Sequence, residues 1–241
     1  MSVGDYYERY WSDEGYNPVR AIPGDLRAVL RDTLAGRGRC LDVGCGDGRA
    51  VGVWLSELVA EWVGVDVSER AVERARALGL DARRVDDAAE LPFEDDSFDA
   101  AVCLDVLEHL FTPLDALREV ARVLKPEGAL VVTVPNQAYW RRRRELALHG
   151  LWNPRGDDRS VQEPWRDPHV RFFTREALRA LVEAAGFADV RVGGHDSETA
   201  ARRGEPTRRE RLGRPLRARF PSLLALDLHA IASKPNTSRP A

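Results

Sequence analysis

The sequence predicts an α/β fold built on a doubly wound, mostly parallel sheet of seven strands. Three observations carry this. Residues 40–136 alternate short apolar runs with helical periodicity, the order that lays helices on both faces of a parallel sheet. Arg39 to Arg49 (RCLDVGCGDGR) reads as the end of a buried strand, a tight turn at Gly44, Gly46 and Gly48, and a helix start. Asp66 closes the next strand about 20 residues further on, where a carboxylate can take a ribose diol.

The elements follow in chain order. Residues 1–35 form a helical cap, with Tyr6, Tyr7, Tyr10 and Trp11 on one helix face and a second helix from Asp25 to Leu34. That aromatic face either caps the sheet edge or forms a lid over the ligand. Strand one is Cys40 to Val43, followed by a helix over Ala50–Leu58, and strand two is Trp62 to Val67. Ser68 caps a helix from Glu69 to Leu78 that Gly79 ends. Strands three and four are Asp81–Val85 and Phe98–Leu104. A helix over Leu114–Leu124, ended by Pro126 and Gly128, leads to strand five at Ala129–Val134.

Residues 137–170 are too long for an idle connection and read as an acceptor lid carrying Arg141 to Arg144, Trp140, Trp152 and Trp165. Thr174 caps a helix within Arg171–Gly186. Ala188–Val192 and Leu223–Ser233 are expected as the last strands, antiparallel partners at the sheet edge, with an Arg-rich insertion at 194–220 between them. The expected organisation is therefore a cap (1–35), a cofactor-binding core (36–136), a lid (137–170) and the rest of the core (171–241).

Composition narrows the function classes. The chain has 241 residues, 44% hydrophobic and 31% charged, with no apolar run of about 18 residues, so no membrane span is expected. Cys40, Cys45 and Cys103 show no C-x-x-C pairing and read as reduced core residues. With an acidic, aromatic start unlike a signal peptide, they point to a cytoplasmic protein. From Ala200 onward ten Arg and Lys face three Asp and Glu, so the tail is basic and the remainder acidic. Such Arg-rich segments either are solvated or contact an anionic or lipid-carrier partner.

Two residues decide which nucleoside the turn holds. A pyrophosphate fingerprint wants a third glycine where Arg49 stands. Asp42, two residues before the first glycine, would repel phosphate and attract an ammonium group. S-adenosylmethionine (SAM) has an amino group, a sulfonium and a ribose, and no phosphate. LDVGCGDG followed by VGVDVS resembles the first two motifs of class I SAM-dependent methyltransferases of the type 11 and 12 kind, over roughly residues 38–136. The resemblance implies a Rossmann-like core, SAM as cofactor and methyl transfer as activity.

It also implies roles for particular residues. Asp42, Gly44, Cys45 and Gly46 would line the turn, and Asp66 would take the ribose. Val67 would pack on the adenine face. DAAELPFEDDSFD is similar to the third cofactor motif, and its D-A-x-x-L-P-F spacing selects Asp87 and Ala88 over Asp86 for the adenine edge. Backbone near Cys103 and Leu104 would meet the methionine end.

After strand four, Asp105, Glu108 and His109 would share one face if helical. With His169 they are similar to the E-x-x-E-H plus distant His pattern of ubiquinone-type and small-RNA 2′-O-methyltransferases. There four side chains hold a divalent metal; here Asp105 replaces the first Glu. Carboxylate and imidazole donors suit Mn²⁺, Fe²⁺ or Zn²⁺ better than Mg²⁺. Without metal, His109 or His169 is a candidate general base. A third reading makes Glu-His-Leu a helix start beneath the site. The lid sequence also resembles methyltransferases encoded with glycosylation and natural-product enzymes, which suggests a sugar, polyol or catechol-like hydroxyl as small-molecule acceptor. N-, C- and RNA 2′-O-methylation, and a non-catalytic SAM-binding protein, are the alternatives. No dedicated RNA-binding module appears, which argues against a nucleic-acid partner.

Overall fold

The computed structural model describes residues 3–12, 22–150, 169–195 and 219–236. Helices α1 (Val3–Ser12) and α2 (Gly24–Leu34) precede β1 (Arg39–Val43), α3 (Gly52–Ser56), β2 (Glu61–Asp66), α4 (Glu69–Ala77) and β3 (Asp81–Arg84). Then come β4 (Phe98–Leu104), a short 3₁₀ turn (Leu107–His109), α5 (Pro113–Val123), β5 (Leu124–Pro135) and α6 (Trp140–His149). Helix α7 (Arg175–Ala184), β6 (Ala188–His195), α8 (Pro221–Leu224) and β7 (Asp227–Ser233) complete the described chain.

The sheet has seven strands in the order β3-β2-β1-β4-β5-β7-β6, so the fold class is the one the sequence predicts. Chain order reverses direction between β1 and β4, and in open α/β sheets ligands bind at the carboxyl ends beside such a switch. Neighbouring strands pair in parallel from β3 through β5. Strand β7 runs antiparallel to both of its neighbours and lies between β5 and β6, so β6 alone holds that edge. The last two strands are thus antiparallel partners at the sheet edge, as expected, with β7 on the inner side. Strand β7 alternates buried Leu228, Ala230 and Ala232 with half-buried residues, so one of its faces is covered.

Period-2 alternation divides the core between the two faces. Leu41, Val43, Ala101, Cys103, Leu130 and Val132 face α5 and α7, which bury Leu117, Val120, Leu178 and Val182. Cys40, Trp62, Ala100, Val102 and Val131 face α2, α3 and α4 through Leu30, Leu34, Leu55, Val72 and Ala75. Burial of nearly every residue in β1, β2 and β4 explains their unbroken apolar runs. All three cysteines are free, and burial pushes their thiols up.

Boundaries moved where local geometry overrode periodicity. Helix α3 is shorter than Ala50–Leu58, because the turn continues through Gly48 (φ 71°) to Val51. Strand β2 stops at Asp66, leaving Val67 in the bend before Ser68, whose hydroxyl accepts from Ala71 N–H at 3.3 Å. Leu124 is already extended and paired with Phe98, so β5 begins before Pro126. Leu223 and Leu224 are helical rather than strand. The buried Asn136 side chain holds that turn, donating to the carbonyls of Pro221 (3.2 Å), Ser222 (3.1 Å) and Ala225 (2.7 Å). Strand β6 runs on to His195, into the range expected for the Arg-rich insertion; residues 196–218 lie outside the described residues. No helix among the described residues is long and apolar enough to cross a membrane.

Two histidines meet where the carboxyl end of β6 adjoins the amino end of β7, with His195 Nδ1 3.3 Å from His229 Nδ1. The His229 ring lies over Gly193, where a Cβ would fall 2.4 Å from Nε2. Burial, then the charge of His229, holds His195 below the ordinary imidazole range; burial holds His229 low, with Asp25 opposing. Both rings fold neutral, so their contribution is complete above about pH 6.5 and declines as protons bind the unfolded chain preferentially. Urea midpoints are expected to fall from pH 6.5 towards pH 4, with a shallower fall in H195L/H229L; equal slopes would remove the pair as the cause.

Candidate active site

The glycine turn spends its amides within the protein. Gly44 N–H and Cys45 N–H both donate to Val65 O, at 2.8 and 3.0 Å, and Gly46 N–H donates to Asp66 Oδ2 at 2.9 Å. Gly44 and Gly46 have φ of 73° and 55°, a region in which a side chain would be strained. A turn with its donors so engaged offers a close-approach backbone surface rather than a phosphate nest. Asp66 Oδ1 accepts from Ser68 N–H at 2.9 Å. Burial raises the Asp66 carboxyl, while the Ser68, Gly46 and Val67 amides pull it down.

Asp42 sits beneath this turn, 3% exposed, and its Oδ2 has no hydrogen-bond partner. Burial pushes its carboxyl up to about 7; the Trp62 indole opposes this and Asp66 adds to it. An unsatisfied buried carboxylate is costly, and a cationic ligand group is the natural complement. The turn that a Cβ would fill, the unsatisfied Asp42 and the strand-end Asp66 together fit SAM: amino group, close backbone approach and ribose.

The remaining cofactor candidates lie along the same edge. Val67 is half-buried in the bend after β2, and Leu104 is half-buried at the end of β4, paired with Thr133. Asp87 Oδ1 accepts from Ala89 N–H at 2.9 Å, forming a local turn that carries half-buried Ala88. Asp86 pairs with Arg84 and, like Asp87, is exposed.

Beyond the end of β4, three of the four residues expected to form a group converge. Glu108, His109 and His169 present ligand atoms within 4.8 Å of one another, with Glu108 buried. The two imidazoles stack at 4.8 Å, 27° apart, and His109 Nε2 lies 3.8 Å from Glu108 Oε1. Backbone hydrogen bonds bring His169 across 60 residues: Val170 and Arg171 N–H both donate to Glu108 O, at 2.9 and 3.0 Å.

Asp105 stays outside this group. The chain there is not an α-helix but a three-residue 3₁₀ turn, and Asp105 has φ 56°. Its carboxylate accepts from Thr133 Oγ1 at 2.8 Å, and its N–H donates back to the same oxygen at 3.0 Å. A face drawn for an α-helix therefore does not exist here. Thr133, buried in β5, carried no sequence signal for this bond.

Helix α1 closes over both halves. A Cβ on Gly46 would fall 2.8 Å from the Trp11 ring, and one on Gly44 would fall 2.5 Å from Val106. Glu8 accepts from Glu69 N–H at the start of α4 and lies 3.5 Å from Arg70. The Tyr7 ring meets His109 edge-on at 6.0 Å. Clustered aromatics were legible in the sequence; their partners were not. In α6, Arg141 and Arg144 lie over the Trp140 ring, each at 5.4 Å. Arg142 turns inward, buried, and donates to Gln137 Oε1 at 2.9 Å. Trp152 and Trp165 lie outside the described residues.

Because burial raises the Asp42 carboxyl to about 7, a cation binding beside it favours loss of its proton. Calorimetry of SAM binding at pH 6.5 in buffers of different ionisation enthalpy is expected to report proton release, with affinity weakening as pH falls. D42N should abolish the release. D66A is expected to weaken SAM about tenfold to a hundredfold, from one or two charge-assisted hydrogen bonds; unchanged affinity would exclude Asp66 from the ribose.

Comparison with known proteins agrees with this geometry. The chain is 30% identical over 199 residues to a ubiquinone biosynthesis O-methyltransferase of Idiomarina loihiensis, covering 77% of each chain. It is 34% identical over 136 residues to 27-O-demethylrifamycin SV methyltransferase of Amycolatopsis mediterranei, covering 51% of this chain and about half (48%) of that relative. Among solved structures, a chain of the Haloferax volcanii complex between the Trm112 methyltransferase activator and a methyltransferase superposes with a TM-score of 0.66. It has 20% identity and covers 99% of this chain and 100% of that one, a likeness of fold. Residues 15–192 match the methyltransferase domain family, and the chain belongs to it, as a class I SAM-dependent methyltransferase.

Proposed function

We propose that the chain methylates a hydroxyl oxygen of a small molecule, of sugar, polyol or catechol type. The observation that supports this reading is the stacked His109–His169 pair beside buried Glu108, next to the cofactor turn. Bound SAM supplies an electrophilic methyl group on a sulfonium, so the protein need only position the acceptor, exclude water and take a proton. Amines react in their neutral form, whereas a hydroxyl gains from a base. His109 is the better-placed base: its ring is 19% exposed and lies between His169 and the carboxylate side of Glu108. His169 then steers the acceptor hydroxyl towards it. The names of the Idiomarina and Amycolatopsis relatives, each an O- or hydroxyl-directed enzyme, agree with an oxygen acceptor.

A second reading rests on the same side chains. Glu108, His109 and His169 are donors suited to Mn²⁺, Fe²⁺ or Zn²⁺, and such an ion would anchor acceptor oxygens. Asp105, held by Thr133, would not contribute, so the set is three rather than four.

The test is a screen of sugars and catechols for S-adenosylhomocysteine release. H109A and H169A are each expected to keep SAM affinity; H109A should lose roughly a hundredfold or more in kcat, as a base does. Intact turnover in both would exclude the pair. EDTA is expected to leave the wild-type rate unchanged; loss that Mn²⁺ restores would favour the metal instead.

A further inference from the structure

We infer that Tyr7 is a positioning residue for the transfer, bracing the His109 imidazole from a helix that is itself fastened across the cofactor turn. The inference rests on the reading of His109 as the base. Three side chains of α1 touch three parts of the site. Trp11 covers Gly46, Glu8 engages the start of α4 just beyond Asp66, and Tyr7 meets His109. Tyr7 and Trp11 are four residues apart, with Glu8 next to Tyr7, so one side of a short helix reaches both halves.

The geometry at His109 gives this contact its meaning. One face of the imidazole is stacked on His169 at 27°, and Tyr7 stands at 84° to it. A stacked ring and a perpendicular ring against the imidazole restrict rotation about the Cβ–Cγ bond, which exchanges Nδ1 with Cδ2 and Nε2 with Cε1. A base must present one nitrogen to the acceptor, so a freely turning ring spends part of its time unproductive. Tyr7 itself is unsuited to proton transfer. Burial above all, then the neighbouring Tyr6, Glu108, Asp66 and Tyr10, pushes its phenol up and keeps it neutral. It acts as a wall, and the ring is what matters.

This arrangement links the two halves. A ligand on the glycine turn meets Trp11, and a shift of α1 there carries Tyr7 against or away from His109. Cofactor occupancy is therefore felt at the base before any acceptor arrives.

The test needs no acceptor. Imidazole ¹³Cε1–¹H signals are followed by NMR while S-adenosylhomocysteine is titrated into the full chain, with His109 assigned by its loss in H109A. The natural protein, Y7F and Y7L are compared. All three are expected to bind within about threefold of one another. The His109 signal should move on titration in the natural chain and in Y7F, and stay unresponsive in Y7L. An equal response in Y7L, no response in the natural chain, or collapse of binding in Y7L would each overturn the proposal. With an acceptor in hand, Y7L should lower kcat with little change in KM, and Y7L/H109A should be no slower than H109A. Additive losses would place Tyr7's effect elsewhere. Full turnover in H109A would remove the base reading, while the NMR coupling would stand or fall separately.

Discussion

The Asp66 carboxylate ties the site together. One oxygen accepts from Gly46 in the turn after β1 and the other from Ser68 at the cap of α4. A strand end, a glycine turn and a helix start are thereby fixed relative to one another through one side chain. Parallel pairing sets this up, since β1 and β2 run in register from Arg39–Glu61 to Val43–Val65. Val65 O then takes the next two amides of the turn. The turn is rigid because its donors are engaged, and approachable because its glycines carry no Cβ.

Asp42 works in the opposite sense. It is buried beside the same turn with an unsatisfied oxygen, and burial raises its carboxyl towards neutrality. The folded protein keeps this group at a cost, and a cationic ligand removes that cost. Selectivity follows as well, because a phosphate in the same place would meet like charge.

The acceptor side is assembled by a different logic. Glu108 serves twice, its carboxylate within the His109–His169 group and its carbonyl holding the segment after His169. Sixty residues of intervening chain, including β5, α6 and the lid, are closed by those two backbone bonds. Helix α1 covers the assembly from the other end of the sequence. The glycine turn and the His109–His169 group therefore share walls.

The sequence by itself determined the sheet, the cofactor edge and the caps, because these depend on local causes. Alternating burial, three glycines at positive φ and Ser68 before a periodic run are each written within a few residues. His109 and His169 were recognisable as candidates for the same reason of pattern. Tertiary structure decided what no short stretch encodes. Asp105 left its expected group because Thr133, on another strand, offered it a hydroxyl. Strand β7 entered between β5 and β6, pairing its backbone with both, an order that no local pattern in the sequence specifies. Leu223 and Leu224 became a helical turn held by Asn136, which lies in a distant loop. Tyr7 and Trp11 gained their partners only when α1 folded over the carboxyl edge. Contacts between residues far apart in sequence are chosen by competition among all available surfaces, and that competition is settled only in the folded chain.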